Sequence, residues 1–201
     1  MILTILTIIG VGLVALSTWP YIRSVLSGQV RPRLVSWGIW TVLAVIMTIA
    51  ALSEGQMQSA LLTGVTAASC GVIVVLGWRQ GNRTVTRIDW ICLAGAVAGI
   101  VAFLVIRDVM VALVISVAVD AVAFIPTLAH AWNDPEEESL TAFAMAASGE
   151  VFVIVAAVLE GATFAGLLYP VYAVLFNGAT AVVILVGRRA ANTLDYSGDE
   201  A

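Results

Sequence analysis

Seven apolar runs, each long enough to cross a bilayer, constrain this 201-residue chain more than any motif does. They fall at 2–18, 34–53, 57–77, 88–106, 109–131, 139–159 and 163–186, and a helix needs roughly 17 to 25 residues to span the hydrocarbon core. No water satisfies backbone amides there, so such runs fold as helices that bond internally. Composition agrees, with 61% of residues hydrophobic and 11% charged, where a soluble domain carries about 25% charged residues. The expected fold class is an all-α membrane protein of seven transmembrane helices, with almost nothing left for a soluble domain. The first run lacks a separate basic region and a small-residue cleavage site, so it is expected to remain as a helix.

The nine basic residues are all arginine. Arg23, Arg31 and Arg33 follow the first run, Arg79, Arg83 and Arg87 follow the third, and Arg188 and Arg189 follow the seventh, leaving Arg107 alone on the other side. By the positive-inside rule the N-terminus is expected outside and the C-terminus in the cytoplasm, in a multi-pass protein of the cell membrane. Arginine without lysine, together with the acidic tail LDYSGDEA, suggests a prokaryotic source. Without lysine no retinal Schiff base can form. The net charge of −4 offers nothing to nucleic acid.

Pairs of rare residues repeat at a fixed spacing. With a shift of 106, Pro20 falls on Pro126, Leu34 on Leu140, and Glu54-Gly55 on Glu160-Gly161. Farther on, Cys70-Gly71 meets Asn177-Gly178 at a shift of 107. The expected organisation is a first three-helix repeat over 1–80, a linker helix over 81–107, a second three-helix repeat over 108–189 and a disordered cytoplasmic tail over 190–201. An odd-numbered repeat enters the membrane inverted unless one extra span intervenes, so the linker helix makes the two copies parallel. Gly95 and Gly99 in that linker have GxxxG spacing, which permits close helix packing and is compatible with either a monomer or a homodimer.

A proline ending the first helix, a polar turn, and a serine or threonine opening the second resemble the three-helix units of the PQ-loop superfamily. The 3+1+3 layout is similar to the SWEET sugar transporters within it. The glutamine of the Pro-Gln pair is Tyr21 in one copy and Thr127 in the other, and the paired asparagines of the third and seventh helices are Cys70 and Asn177. The resemblance implies two helix triplets that alternate access to a solute site between them.

Two acids stand inside apolar spans: Asp120 in the middle of 109–131 and Glu150 in the middle of 139–159. An ionised side chain at the centre of a bilayer helix costs roughly 2.5 to 3.5 kcal/mol, so such acids mark function by default. Asn177 falls at nearly the same depth, and transporters with repeats bind solute at that midplane. Helical spacing puts Ser116 and Thr127 on the stripe of Asp120, and the repeat sets Trp40 opposite the Glu150 stripe. No arginine lies at that depth. Asp120, Glu150, Asn177, Trp40, Ser116 and Thr127 are therefore the expected substrate-binding residues, with Asp120 and Glu150 as proton-coupling groups and Pro20 and Pro126 as hinges.

Glu54 and Glu160 are expected in solvated turns, His130 near an interface, and Trp19, Trp78, Trp90 and Trp132 as interfacial anchors. Cys70 and Cys92 have no metal-ligand spacing and read as small core residues. The chain has no nucleotide-binding loop, zinc signature or serine-hydrolase elbow, and it lacks the Tyr-Asp and Gly-x-Gly-Asp pair of intramembrane aspartyl proteases. The expectation is a non-enzymatic transporter of a small polar solute, sugar-like or another metabolite, with no cofactor and no metal. The alternative is a seven-helix PQ-loop-type receptor or sorting protein that binds a ligand without moving it.

Overall fold

In a computed structural model the described residues are 2–28, 32, 34–78, 85, 87–101, 105 and 108–198. Arg31, Arg33, Arg79, Arg83 and Arg107, the side chains of Cys92, Pro126 and His130, and the surroundings of Gly99 lie outside the described residues. Among the described residues the elements are all helical: α1 (Ile2–Leu26), α2 (Leu34–Ser53), α3 (Met57–Gly77), α4 (Arg87–Val101), α5 (Val109–Asn133), a 3₁₀ turn (Pro135–Glu137), α6 (Leu140–Leu159) and α7 (Phe164–Gly198). Six of these helices, all but α4, are long and apolar enough to cross a membrane. Large apolar side chains cover their outer faces, among them Leu16, Val75, Leu175 and Val182. A soluble monomer rarely presents so much contiguous apolar surface to water. This is the build of a multi-pass membrane protein.

Two boundaries depart from expectation. Helix α1 continues through Pro20 to Leu26, because a proline removes only the donor to the Leu16 carbonyl and Ser24 Oγ donates to the Pro20 carbonyl at 3.1 Å. Helix α4 is described over the 15 residues Arg87–Val101, and most of the remainder of the expected 88–106 lies outside the described residues. Helix α7 continues to Gly198 across the stretch expected to be a disordered tail. Ala190 and Ala191 are strong helix formers, and neither proline nor glycine occurs from Ala190 to Ser197.

Packing follows the same order in both halves. Helix α3 lies between α1 and α2, and α7 lies between α5 and α6; the outer pair of each triplet makes no close backbone approach among the described residues. The turns after α2 and α6 also share one geometry. Gln56 N–H donates to the Ala51 carbonyl at 2.8 Å and Gly55 N–H to Leu52 at 3.1 Å, while Ala162 donates to Ala157 at 2.9 Å and Gly161 to Val158 at 3.0 Å. These are paired Schellman caps, which need a left-handed residue after the helix. Gly55 (φ 69°) and Gly161 (φ 82°) supply it, and Glu54 and Glu160 are exposed beside them.

The halves meet unequally. Helices α1 and α6 share the most extensive contact between the triplets, and α2 and α5 a sparser one. Gly10 and Gly149 account for the difference. A Cβ on Gly10 would lie 2.6 Å from the Gly149 carbonyl oxygen, and one on Gly149 would lie 2.5 Å from the Gly10 carbonyl oxygen. The positions 106 residues away are Ser116 on α5 and Leu43 on α2. Leucine's bulk keeps that second pair of backbones apart. Gly95 of α4 packs closely on Val119 of α5, so one member of the expected GxxxG pair contacts a neighbouring helix of the same chain.

Candidate functional site

A cavity of about 700 Å³ lies between the triplets, within the range of small-molecule sites, roughly 300 to 1,000 Å³. It is lined by α1 from Val14 onward, α2 only as far as Met47, α5 from Asp120 onward and α6 only as far as Glu150. Its walls therefore occupy the half of the molecule that holds the α1–α2 and α5–α6 connections, and they reach the exposed Gly28. The other half is filled by packed side chains, including Leu62, Val153 and Tyr172, with Met47 and Tyr169 at the boundary, where they also line the cavity. The cavity is a blind well whose floor lies near the middle of the bundle.

Both membrane acids stand at that floor. Glu150 is 3% exposed and Asp120 8%. Each helix brings its residue there by length: Glu150 is the eleventh residue of the 20 in α6, and Asn177 is the central residue of the apolar part of α7, Phe164–Ala190. Asn177 Nδ2 donates to Glu150 Oε1 at 2.9 Å. The second oxygen, Glu150 Oε2, is buried without a hydrogen-bond partner. The Tyr172 hydroxyl stands close enough to Asp120 to interact with its carboxyl, without meeting hydrogen-bond geometry.

Aromatic rings run in a continuous contact series from the mouth to the floor. Tyr21 contacts Trp37 at 4.9 Å between ring centroids, Trp37 contacts Trp40 at 5.1 Å, Trp40 contacts Phe124 at 5.6 Å and Phe124 contacts Phe176 at 5.3 Å. Tyr172 follows at 4.6 Å from Phe176, and Tyr169 at 6.1 Å from Tyr172. Near the mouth Trp37 Nε1 donates to the Tyr21 hydroxyl at 3.3 Å. Trp40 Nε1 is buried with no acceptor. Such rings fix one another's orientation, since offset and edge-to-face pairs are the preferred geometries.

Of the six expected substrate-binding residues, Asp120, Glu150, Asn177, Trp40 and Thr127 line the cavity. Ser116 is fully buried on α5 and does not line it; its hydroxyl has no partner. Pro20 lies within α1 beside Arg23 in a small separate surface recess, and the α5 backbone is helical through position 126. Cys70, expected as a small core residue, is buried and also lines the cavity. Trp19, Trp78, Trp90 and Trp132 are each more than half exposed near helix ends, as interfacial anchors would be.

Tyr169, Tyr172 and Phe124 escaped notice in the sequence because apolar and aromatic residues are ordinary in a membrane span. One signal does mark two of them. Tyr169, Tyr172, Phe176, Thr180 and Ile184 recur at intervals of three and four residues along α7, and that stripe is the face α7 turns inward. The glycines at 10 and 149 carried no such mark, being single residues on different helices.

No protein-family model matches this chain, and neither does any curated protein or solved structure.

Proposed function

We propose that the chain is a membrane transporter that moves a small polar solute by alternating access, with Asp120, Glu150, Asn177, Trp40 and Thr127 facing the solute. The observation that carries this proposal is a well open to one end of the bundle, with two buried acids at its floor and a packed apolar plug beyond them. Such a shape suits one of two access states. A shift of the plug would expose the same floor to the other side.

Seven spans, with α4 and the residues after it as the linker, and two parallel triplets belong to the same proposal. The cavity supports the repeat, because many of its lining residues come as partners 106 positions apart: Val14 with Asp120, Thr18 with Phe124, Trp40 with Ala146 and Ala44 with Glu150. Membership of the PQ-loop superfamily with a SWEET-like layout, the N-terminus outside and the C-terminus cytoplasmic is likewise proposed. In this scheme Asp120 and Glu150 take and release a proton as access alternates, and the triplets flex at Pro20 and Pro126.

The test is counterflow in proteoliposomes across a panel of labelled sugars, amino acids, amines and vitamins at two pH values. At least one solute should accumulate, and its rate should lose pH dependence in Asp120→Asn or Glu150→Gln. A solute that raises the Tm of the protein yet shows no counterflow would make the chain a receptor instead.

A further inference from the structure

The described lining of the cavity is one-signed. Asp120, Glu150 and Glu138 line it, and no arginine or histidine does so among the described residues; lysine is absent from the chain. Its remaining walls are rich in ring faces and edges, notably Tyr21, Trp37, Trp40, Phe124 and Phe143. At the floor, Glu150 is 97% removed from solvent and uses one oxygen on Asn177, leaving the other without a donor. A ligand that meets all three features carries a positive charge, at least one N–H and a flat or compact apolar body.

We infer that the solute of this cavity is a primary or secondary organic ammonium ion with an aromatic or alkyl body and no carboxylate. This assignment deepens the transport proposal and rests on it for the cavity being a solute path. The ammonium N–H donates to Glu150 Oε2, a charge-assisted bond of the stronger kind, with Asp120 adding negative potential from α5. The body lies among Trp40, Phe124 and Trp37, whose π-faces attract cations and stack on flat groups. Glu138 places a further acid toward the mouth, where like-signed clefts concentrate ligands of opposite charge.

The same inventory excludes neighbouring chemistries. A carboxylate meets no cationic partner among the described residues that line the cavity and faces two buried acids, so amino acids and organic anions of the same shape are rejected by repulsion and desolvation. A sugar fills the volume but leaves the acids without a compensating charge. A quaternary ammonium gains the ring contacts and cannot donate to Glu150 Oε2.

The experiment compares tryptamine, tryptophan, indole-3-acetate, tetramethylammonium and glucose by thermal shift and tryptophan-fluorescence titration on the purified full-length protein. Tryptamine is expected to raise the Tm and bind at least tenfold more tightly than any of the others. Glu150→Gln should weaken tryptamine at least tenfold. Trp40→Ala, which leaves both acids in place, should weaken it several-fold and keeps the test decisive if Glu150→Gln does not fold. Equal or better binding of indole-3-acetate or glucose, no response to tryptamine, or tryptamine binding unchanged in both variants would overturn the assignment. Tryptamine binding without tryptamine counterflow would remove the transport proposal and leave the ligand class standing; counterflow of a sugar or an anion would do the reverse.

Discussion

At the residue scale, the Glu150–Asn177 contact separates a structural role from a functional one. Side-chain hydrogen bonds in membrane proteins are worth about 0.6 kcal/mol on average, far less than the roughly 2.5 to 3.5 kcal/mol it takes to place an ionised acid at the centre of a bilayer helix. One bond to Asn177 does not repay that placement, and Glu150 keeps a second oxygen unpartnered. Asn177→Leu is therefore predicted to change unfolding stability by only about 1 kcal/mol while lowering the transport rate tenfold or more. Chemical unfolding and counterflow measured side by side decide this. A large stability loss with normal transport would make the pair a strut between helices.

At the element scale, the glycines divide into two kinds. Gly55 and Gly161 are required by backbone conformation, since both are left-handed caps with open space around the missing side chain. Alanine at either is predicted to cost about 1 to 2 kcal/mol, the penalty for an L-residue in that region, without altering helix packing. Gly10 and Gly149 are required by proximity. Gly149→Ala sets a methyl against the Gly10 carbonyl oxygen and Val14, and overpacking of this kind costs about 1 to 3 kcal/mol. It is predicted to lower the Tm and to loosen α1 from α6, which a disulfide or spin-label distance across that pair would register.

These elements also show what was legible in the sequence. Spans α2, α3 and α6 could be placed to within a residue, because turn residues bound each apolar run; the Glu-Gly pairs betrayed the caps through their spacing of 106. Asp120, Glu150 and Asn177 stood out because polar groups are rare at that depth. The ring series from Tyr21 to Tyr169 did not, since an aromatic residue in an apolar span looks the same whether it faces lipid, core or cavity. The closeness of α1 to α6 was equally hidden: it depends on two single glycines that meet only once the helices have packed.

At the scale of the whole molecule, symmetry of scaffold and asymmetry of content are separate facts with separate causes. Triplet order and hairpin caps agree between the halves. Glycine at 149 against leucine at 43, and acids at 120 and 150 against Val14 and Ala44, do not. The tight α1–α6 seam and the open α2–α5 side follow, and the well lies between them. In a Cys70→Ala, Cys92→Ala background, Thr127→Cys is predicted to react with a membrane-impermeant maleimide from one face of a proteoliposome and Val153→Cys from neither. Labelling of both from opposite faces at equal rates would show a different resting state.

The most direct measurement is counterflow in a variant that fills the well while both acids are retained. Ala146 lines the cavity, and Ala146→Trp places an indole in the solute path. If solute crosses through this cavity, Ala146→Trp abolishes counterflow while the protein keeps its helicity and elutes as the wild type does. Counterflow at the wild-type rate in that variant would contradict transport through the well.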